Sequence, residues 1–189
     1  MKKKFSFLAI VIFIFFINSL MTFSERVINN LEQLEERNGK TYVRGEKEAF
    51  TGTLNVYRDG NWLFSEVPFK NGLRDGVQKD YYKSGKLRWS DFFKNGKREG
   101  LYKRYYRSGK LELEMPYKDG KENGKSKQYW ENGNIMNEAT YKNGMLEGPQ
   151  KTYHENGVLK LEMTLKDERP IGDVLTYDEK GKLIGKERY

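Results

Sequence analysis

The side chains from which a catalytic site could be built are few. The chain of 189 residues has one histidine, His154, no cysteine, and 27 acidic residues interleaved with 35 basic ones. One imidazole, no thiolate and dispersed carboxylates offer no metal-ligand spacing, and no Ser-His-Asp arrangement has a supporting motif. Glycine is abundant at 19 residues, yet no segment has the spacing of a phosphate-binding loop. His154 fills a slot that Tyr82, Tyr106 and Trp130 fill at earlier 24-residue intervals, which makes it a repeat position instead of a catalytic base. These residues predict a protein that is not an enzyme and that holds no metal or cofactor. The chemistry left is recognition: rigid aromatic side chains among Lys and Arg are the usual material of binding surfaces. Tyr82, Tyr106, Trp130 and His154, with Arg104 on the same parity, form the candidate binding strip. The competing explanation of the row is cross-strand packing on a partly solvated sheet.

What must position such a row is the repeat. The phrase FKNGKREGLYKRYYRSGKLELEMP begins at Phe93, and YKDGKENGKSKQYWENGNIMNEAT follows from Tyr117. Unit starts at Phe69, Phe93, Tyr117, Tyr141 and Leu165 keep the period of 24 without a gap, and a weaker unit opens at Gly45. Six units therefore span residues 45–189, and a fixed period of this length marks a repeat architecture in which each unit stacks on the next. Glycines recur at three places per unit, as in Gly96, Gly100 and Gly109, and each is read as a turn between short strands. The fold expected is all-β: an elongated antiparallel meander of stacked hairpins with about 12 strands. Strict alternation puts three columns on one face: the tyrosines at 57, 81, 105, 129, 153 and 177, the aliphatic row from Leu87 to Leu183, and the row from Phe69 through Phe93 to Tyr189. Their stacking is expected to supply the stability, and the candidate strip is expected on the other face.

The pattern aromatic-Lys-Asn-Gly, Gly four residues on, a Tyr-rich strand and a Glu-Asn-Gly or Lys-Ser-Gly turn resembles MORN-repeat variants over residues 45–189. It is best formed in the units from Phe69, Phe93, Tyr117 and Tyr141; the last unit has Glu168 where the others have glycine. The resemblance implies a sheet of hairpins and a scaffolding or, less securely, phospholipid-contacting role. Bacterial chains of this type carry a YwqK-type, antitoxin-like label.

Ahead of the repeats, Lys2, Lys3 and Lys4 precede an apolar run from Phe5 to Ile17, and Thr22 and Ser24 are the small residues of a cleavage site. Residues 1–24 are read as a signal peptide, with a retained anchor as the alternative, and the mature chain is placed outside the cytoplasm, in the periplasm, in the cell envelope or secreted. Loss of three lysines lowers the formal charge from +8 to +5, a mixed-sign surface in which no nucleic-acid footprint stands out. Residues 25–44 form a cap segment: Val27, Leu31 and Leu34 have helical spacing and predict a short amphipathic helix over the first strand edge, with a further strand at Thr41–Val43. The partner expected is another protein; the alternatives are an envelope glycan or anionic lipid surface, and a toxin neutralised by direct binding.

Overall fold

The structure is a computed structural model describing residues 26–59 and 61–189; the expected signal peptide lies outside the described residues. The elements in chain order are β1 (Val27–Ile28), a single 3-10 turn (Leu31–Gln33), β2 (Leu34–Arg37) and β3 (Lys40–Val43). Six hairpins follow: β4 (Gly52–Arg58) and β5 (Trp62–Lys70); β6 (Leu73–Arg74), β7 (Gly76–Tyr81) and β8 (Leu87–Lys94); β9 (Lys97–Arg98), β10 (Gly100–Tyr105) and β11 (Leu111–Lys118). The last three are β12 (Lys121–Glu122), β13 (Gly124–Tyr129) and β14 (Ile135–Lys142); β15 (Met145–Tyr153) and β16 (Leu159–Lys166); β17 (Arg169–Tyr177) and β18 (Leu183–Arg188). All but β2 and β3 belong to one sheet, ordered β1-β4-β5-β7-β8-β10-β11-β13-β14-β15-β16-β17-β18. From β4 onward this is the expected meander of stacked hairpins.

Two kinds of turn hold the hairpins in register. Asn95 and Gly96 both have positive φ, 48° and 81°, the geometry of the tight turn whose twist matches the flanking strands; the same pair recurs at Asn71-Gly72, Asp119-Gly120 and Asn143-Gly144. At the other sheet edge, Tyr106 N–H donates to the Lys110 carbonyl and Gly109 N–H to the Tyr106 carbonyl, closing a five-residue turn. The middle glycine of each unit is not a turn. Gly76 (φ 119°) opens β7 where pairing with β5 steps from Phe69↔Arg74 to Glu66↔Lys79, so it kinks a strand instead of reversing the chain.

The N-terminal helix expected over residues 26–37 does not form. Asn30 caps only one 3-10 turn, its side chain accepting from Glu32 N–H, after which β2 and β3 pair as a hairpin about Asn38-Gly39, both at positive φ. Capping is nonetheless achieved with strands. β1 lies parallel to β4 and covers the edge of the sheet, and the β2–β3 hairpin supplies Leu34 and Val43 to a cluster with Ile28, Phe50, Leu54 and Val67. Three backbone hydrogen bonds tie this cap to the first tight turn: Thr41 N–H to the Gly72 carbonyl, Gly72 N–H to Phe50 and Phe50 N–H to Thr41.

Candidate functional site

Which side chains share a face follows from the register, since paired residues of antiparallel strands point the same way. Asp80 pairs with Trp89, but the next pair is Tyr81 with Leu87. One extra residue, Arg88, sits in β8 at this β-bulge, and the same shift recurs at Arg104/Tyr105, Gln128/Tyr129, Thr152/Tyr153 and Thr176/Tyr177. A bulge changes the parity of everything beyond it. The tyrosine column and the Leu87 row therefore share one face, while Phe93, Tyr117, Tyr141 and Leu165 lie on the opposite one. The single ridge of three columns expected from alternation is divided between two faces.

On the tyrosine face a polar row is internally paired, beside the Leu87 row and the exposed Val77, Phe92 and Leu101. Tyr81 donates to Glu66 at 2.6 Å, and Tyr129, Tyr153 and Tyr177 repeat the contact with Glu114, Glu138 and Glu162. Lys79, Lys103, Lys125 and Lys151 pair with the same four carboxylates. At Glu138 burial pushes the carboxyl pKa up, but the Lys125 ammonium at 2.9 Å and the Tyr153 hydroxyl outweigh it and hold the group below its ordinary value. Burial, with Glu114 beside it, raises the Tyr129 phenol, so it stays a donor at neutral pH.

The opposite face is mixed, with Leu, Met and Phe side chains beside the buried polar groups of Ser65, Asp80, Asp91, Ser126 and Gln150. Over β4 and β5 it is roofed by the cap; over β11 to β16 it forms a trough of about 400 Å³ lined by Leu113, Met115, Ala139, Tyr141, Leu161 and Met163 together with Ser126, Gln128, Asn137, Gln150 and Thr152. The side chains of Leu113, Met115, Ala139, Leu161 and Met163 all stay half-exposed. Alternation within LELEMPY and LKLEMTL carries this signal in the sequence, with Leu and Met two residues apart before the Tyr117 or Leu165 position. The repeated tyrosines drew attention elsewhere.

The five expected strip residues fall at one sheet edge, in or beside the five-residue turns. The Tyr82 hydroxyl donates to the Tyr105 carbonyl at 2.7 Å, Tyr106 donates to Tyr129 at 2.6 Å, and His154 Nε2 lies 3.0 Å from the Tyr177 carbonyl. A carbonyl only accepts, so the His154 ring carries its proton on Nε2. Each thus sews one turn to the next hairpin, 23 residues on. Trp130 occupies the same slot, with its indole Nε1 buried and unpartnered among the described residues. Arg104 makes a bidentate pair with Glu112 at 2.8 and 2.9 Å. The structure brings it near Tyr106, whose phenol, raised mainly by burial, also feels Glu112 and Arg104. All five side chains are half-buried. Among the described residues no group of three or more His, Cys, Asp or Glu is placed to hold a metal ion.

A family model described as the MORN repeat variant matches residues 74–95, 98–119, 122–143 and 146–167, each match taking in one of the four middle hairpins. No curated protein matches the chain. Among solved structures, an S. aureus TarM mutant in complex with Fondaparinux, alpha-GlcNAc-glycerol and UDP is similar at 12% identity and a TM-score of 0.27, over 75% of this chain and 21% of that one. The chain thus spans about a fifth of that structure. With four successive copies of the motif, each folded as the same bulged hairpin in one sheet, the chain belongs to the MORN-repeat family in its variant form.

Proposed function

We propose that this protein is a non-catalytic, extracytoplasmic binding or scaffolding protein that presents the face of its sheet opposite the tyrosine column to another protein. MORN repeats serve partner or membrane binding. The observation that carries this reading is the trough over β11 to β16, where Leu and Met side chains stay half-exposed beside amides and hydroxyls, while the lysines and carboxylates of the other face pair with one another. An exposed apolar strip with a polar rim is what partner recognition uses. The lysine-rich, apolar start of the chain and the Thr22–Ser24 cleavage pattern support export.

Photo-crosslinking residues at Ala139 and Leu161 in the trough, and at Lys103 and Lys127 on the tyrosine face, test the assignment in intact cells. Protein adducts formed from the trough alone are the expected result. Equal adducts from both faces, or none from the trough, would remove this face from consideration. N-terminal sequencing of the mature protein checks export separately, with a start within a few residues of Glu25 expected.

A further inference from the structure

A second concave surface lies away from the trough, on the sheet edge formed by the ends of the β4–β5, β7–β8 and β10–β11 hairpins. It is a cleft of about 480 Å³, within the usual size range of small-ligand sites, to which Arg58, Lys83, Arg88 and Arg107 contribute, with Trp62 and Tyr82 among its walls. Two of the guanidinium groups are fixed by rings: Arg58 lies 3.6 Å over the centroid of Phe64, and Arg107 5.3 Å over Tyr82. Phe64 in turn meets Trp62 edge-on at 5.7 Å. Stacking orients a guanidinium without consuming its N–H donors.

Among the described residues none of the four cationic side chains has a hydrogen-bond or ion-pair partner, although Arg26, Arg98 and Arg104 all do. Trp62, in the same wall, has its indole Nε1 buried and unpartnered. The carboxylate that feels these charges, Asp80, is buried in β7; burial pushes its pKa up against the pull of Arg88 and Arg58. It therefore offsets only part of the positive field. Four cations lining one cleft suit a tetrahedral oxyanion with several acceptor oxygens better than a single carboxylate.

We propose that the cleft of Arg58, Arg88, Arg107, Lys83 and Trp62 is a binding site for a polyvalent oxyanion, a phosphate or sulfate group carried by a small soluble ligand. The site is independent of the trough and of the function proposed for it. Arg88 and Arg107 chelate the anion, Arg58 flanks it, and the Trp62 indole supplies a neutral donor.

Isothermal titration calorimetry on the mature chain, at roughly physiological salt to screen diffuse attraction, uses inorganic pyrophosphate in one arm and a disulfated disaccharide in the other. Saturable one-site binding is expected in at least one arm, and the arm that binds tells phosphate from sulfate recognition. Arg88→Gln and Arg107→Gln should each weaken that binding about tenfold or more, as loss of a charge-assisted hydrogen bond does, with unchanged melting temperature in the absence of ligand. Lys118→Gln, equal in charge but remote, should leave binding unaltered. Absence of saturable binding in both arms overturns the site, as does equal weakening by Lys118→Gln. Arg88→Lys keeps the charge but loses the fork; affinity equal to the parent would overturn the chelating geometry.

Discussion

The first hairpin and the middle ones are built on one plan but differ in what lies on the face opposite the tyrosines. Over β4 and β5 the cap adds a second layer, and Phe50, at 1% exposure, Leu54 and Val67 are buried. Over β11 to β16 the positions equivalent to Val67 hold Met115, Ala139 and Met163, all half-buried, and those equivalent to Leu54 hold the polar Ser126 and Gln150. A repeat can make a sheet from turns, bulges and backbone pairing, but it makes a core only where something packs on the sheet. Stability and exposure are thus distributed along the chain: the capped end anchors, and the uncovered middle is available.

The largest test of this contrast is truncation in each region. Phe50→Ala should cost about 3–5 kcal/mol, the range for a buried aromatic, whereas Tyr129→Ala, half-exposed and held by one hydrogen bond to Glu114, should cost only about 1–2 kcal/mol. Chemical denaturation of both variants decides; equal costs would mean that the cap contributes no more than the stacked repeats. A finer version compares one turn position in two settings. A Cβ on Gly72 would lie 2.9 Å from both Lys40 Cβ and the Thr41 carbonyl, while one on Gly120 meets nothing within 4 Å. Both have φ near 80°, so Gly120→Ala should carry only the backbone strain, about 1–2 kcal/mol, and Gly72→Ala clearly more. Matching losses would show that the cap does not press on the turn.

Much of this could be read from residue order, and the failures have physical causes. Asn-Gly and Asp-Gly pairs announce their turns because few residues other than Asn, Asp and Gly accept positive φ. The same logic applied to Asn38-Gly39 points to the β2–β3 hairpin, but the spacing of Val27, Leu31 and Leu34 suggested a helix instead. Local periodicity lost there to the burial of Leu34 against Phe50 and Leu54. The two-face arrangement was hidden for another reason: strict alternation counts Arg88 as an ordinary strand residue, whereas the bulge gives it no partner of its own. Tyr82, Tyr106 and His154 were visible as a row, but their bonds to carbonyls 23 residues on belong to the stacking of hairpins and not to any one segment. The arginine cleft draws on three hairpins and has no signature in a single unit.

A smaller effect is expected where the repeat departs from its own turn chemistry. In the last tight turn Glu168 takes the glycine position, at φ 60° after Asp167 at 50°. Glu168→Gly removes left-handed strain of about 1–2 kcal/mol and adds chain entropy of about 0.5–1 kcal/mol, so the variant should be more stable by up to about 1 kcal/mol. A lower melting temperature would show that the Glu168 side chain contributes more than its backbone costs.

The smallest expected effect is electrostatic and lies one hairpin beyond the cap. Asp91 in β8 is 1% exposed, with Arg98 Nε 2.6 Å from its carboxylate. Burial raises its pKa, and the opposing pull of Arg98 and Arg74 does not bring it back. A carboxyl whose folded pKa stands above its unfolded value, about 3.9, favours folding fully below that unfolded value, and the contribution is lost as pH rises through the folded one. Ionised Asp91 is therefore a cost at neutral pH. Arg98 would not be stranded without it, because its guanidinium stacks over Tyr117 and donates to the Tyr117 hydroxyl. Asp91→Asn should accordingly be more stable than the parent at pH 7, by less than about 1 kcal/mol, and the advantage should shrink as pH falls toward 4. Melting curves of both proteins from pH 4 to 8 measure the difference. A parent that is the more stable at pH 7, with the gap closing in acid, would show that the Arg98 pair overcomes burial, and that the second hairpin gains from charge what the first gains from its roof.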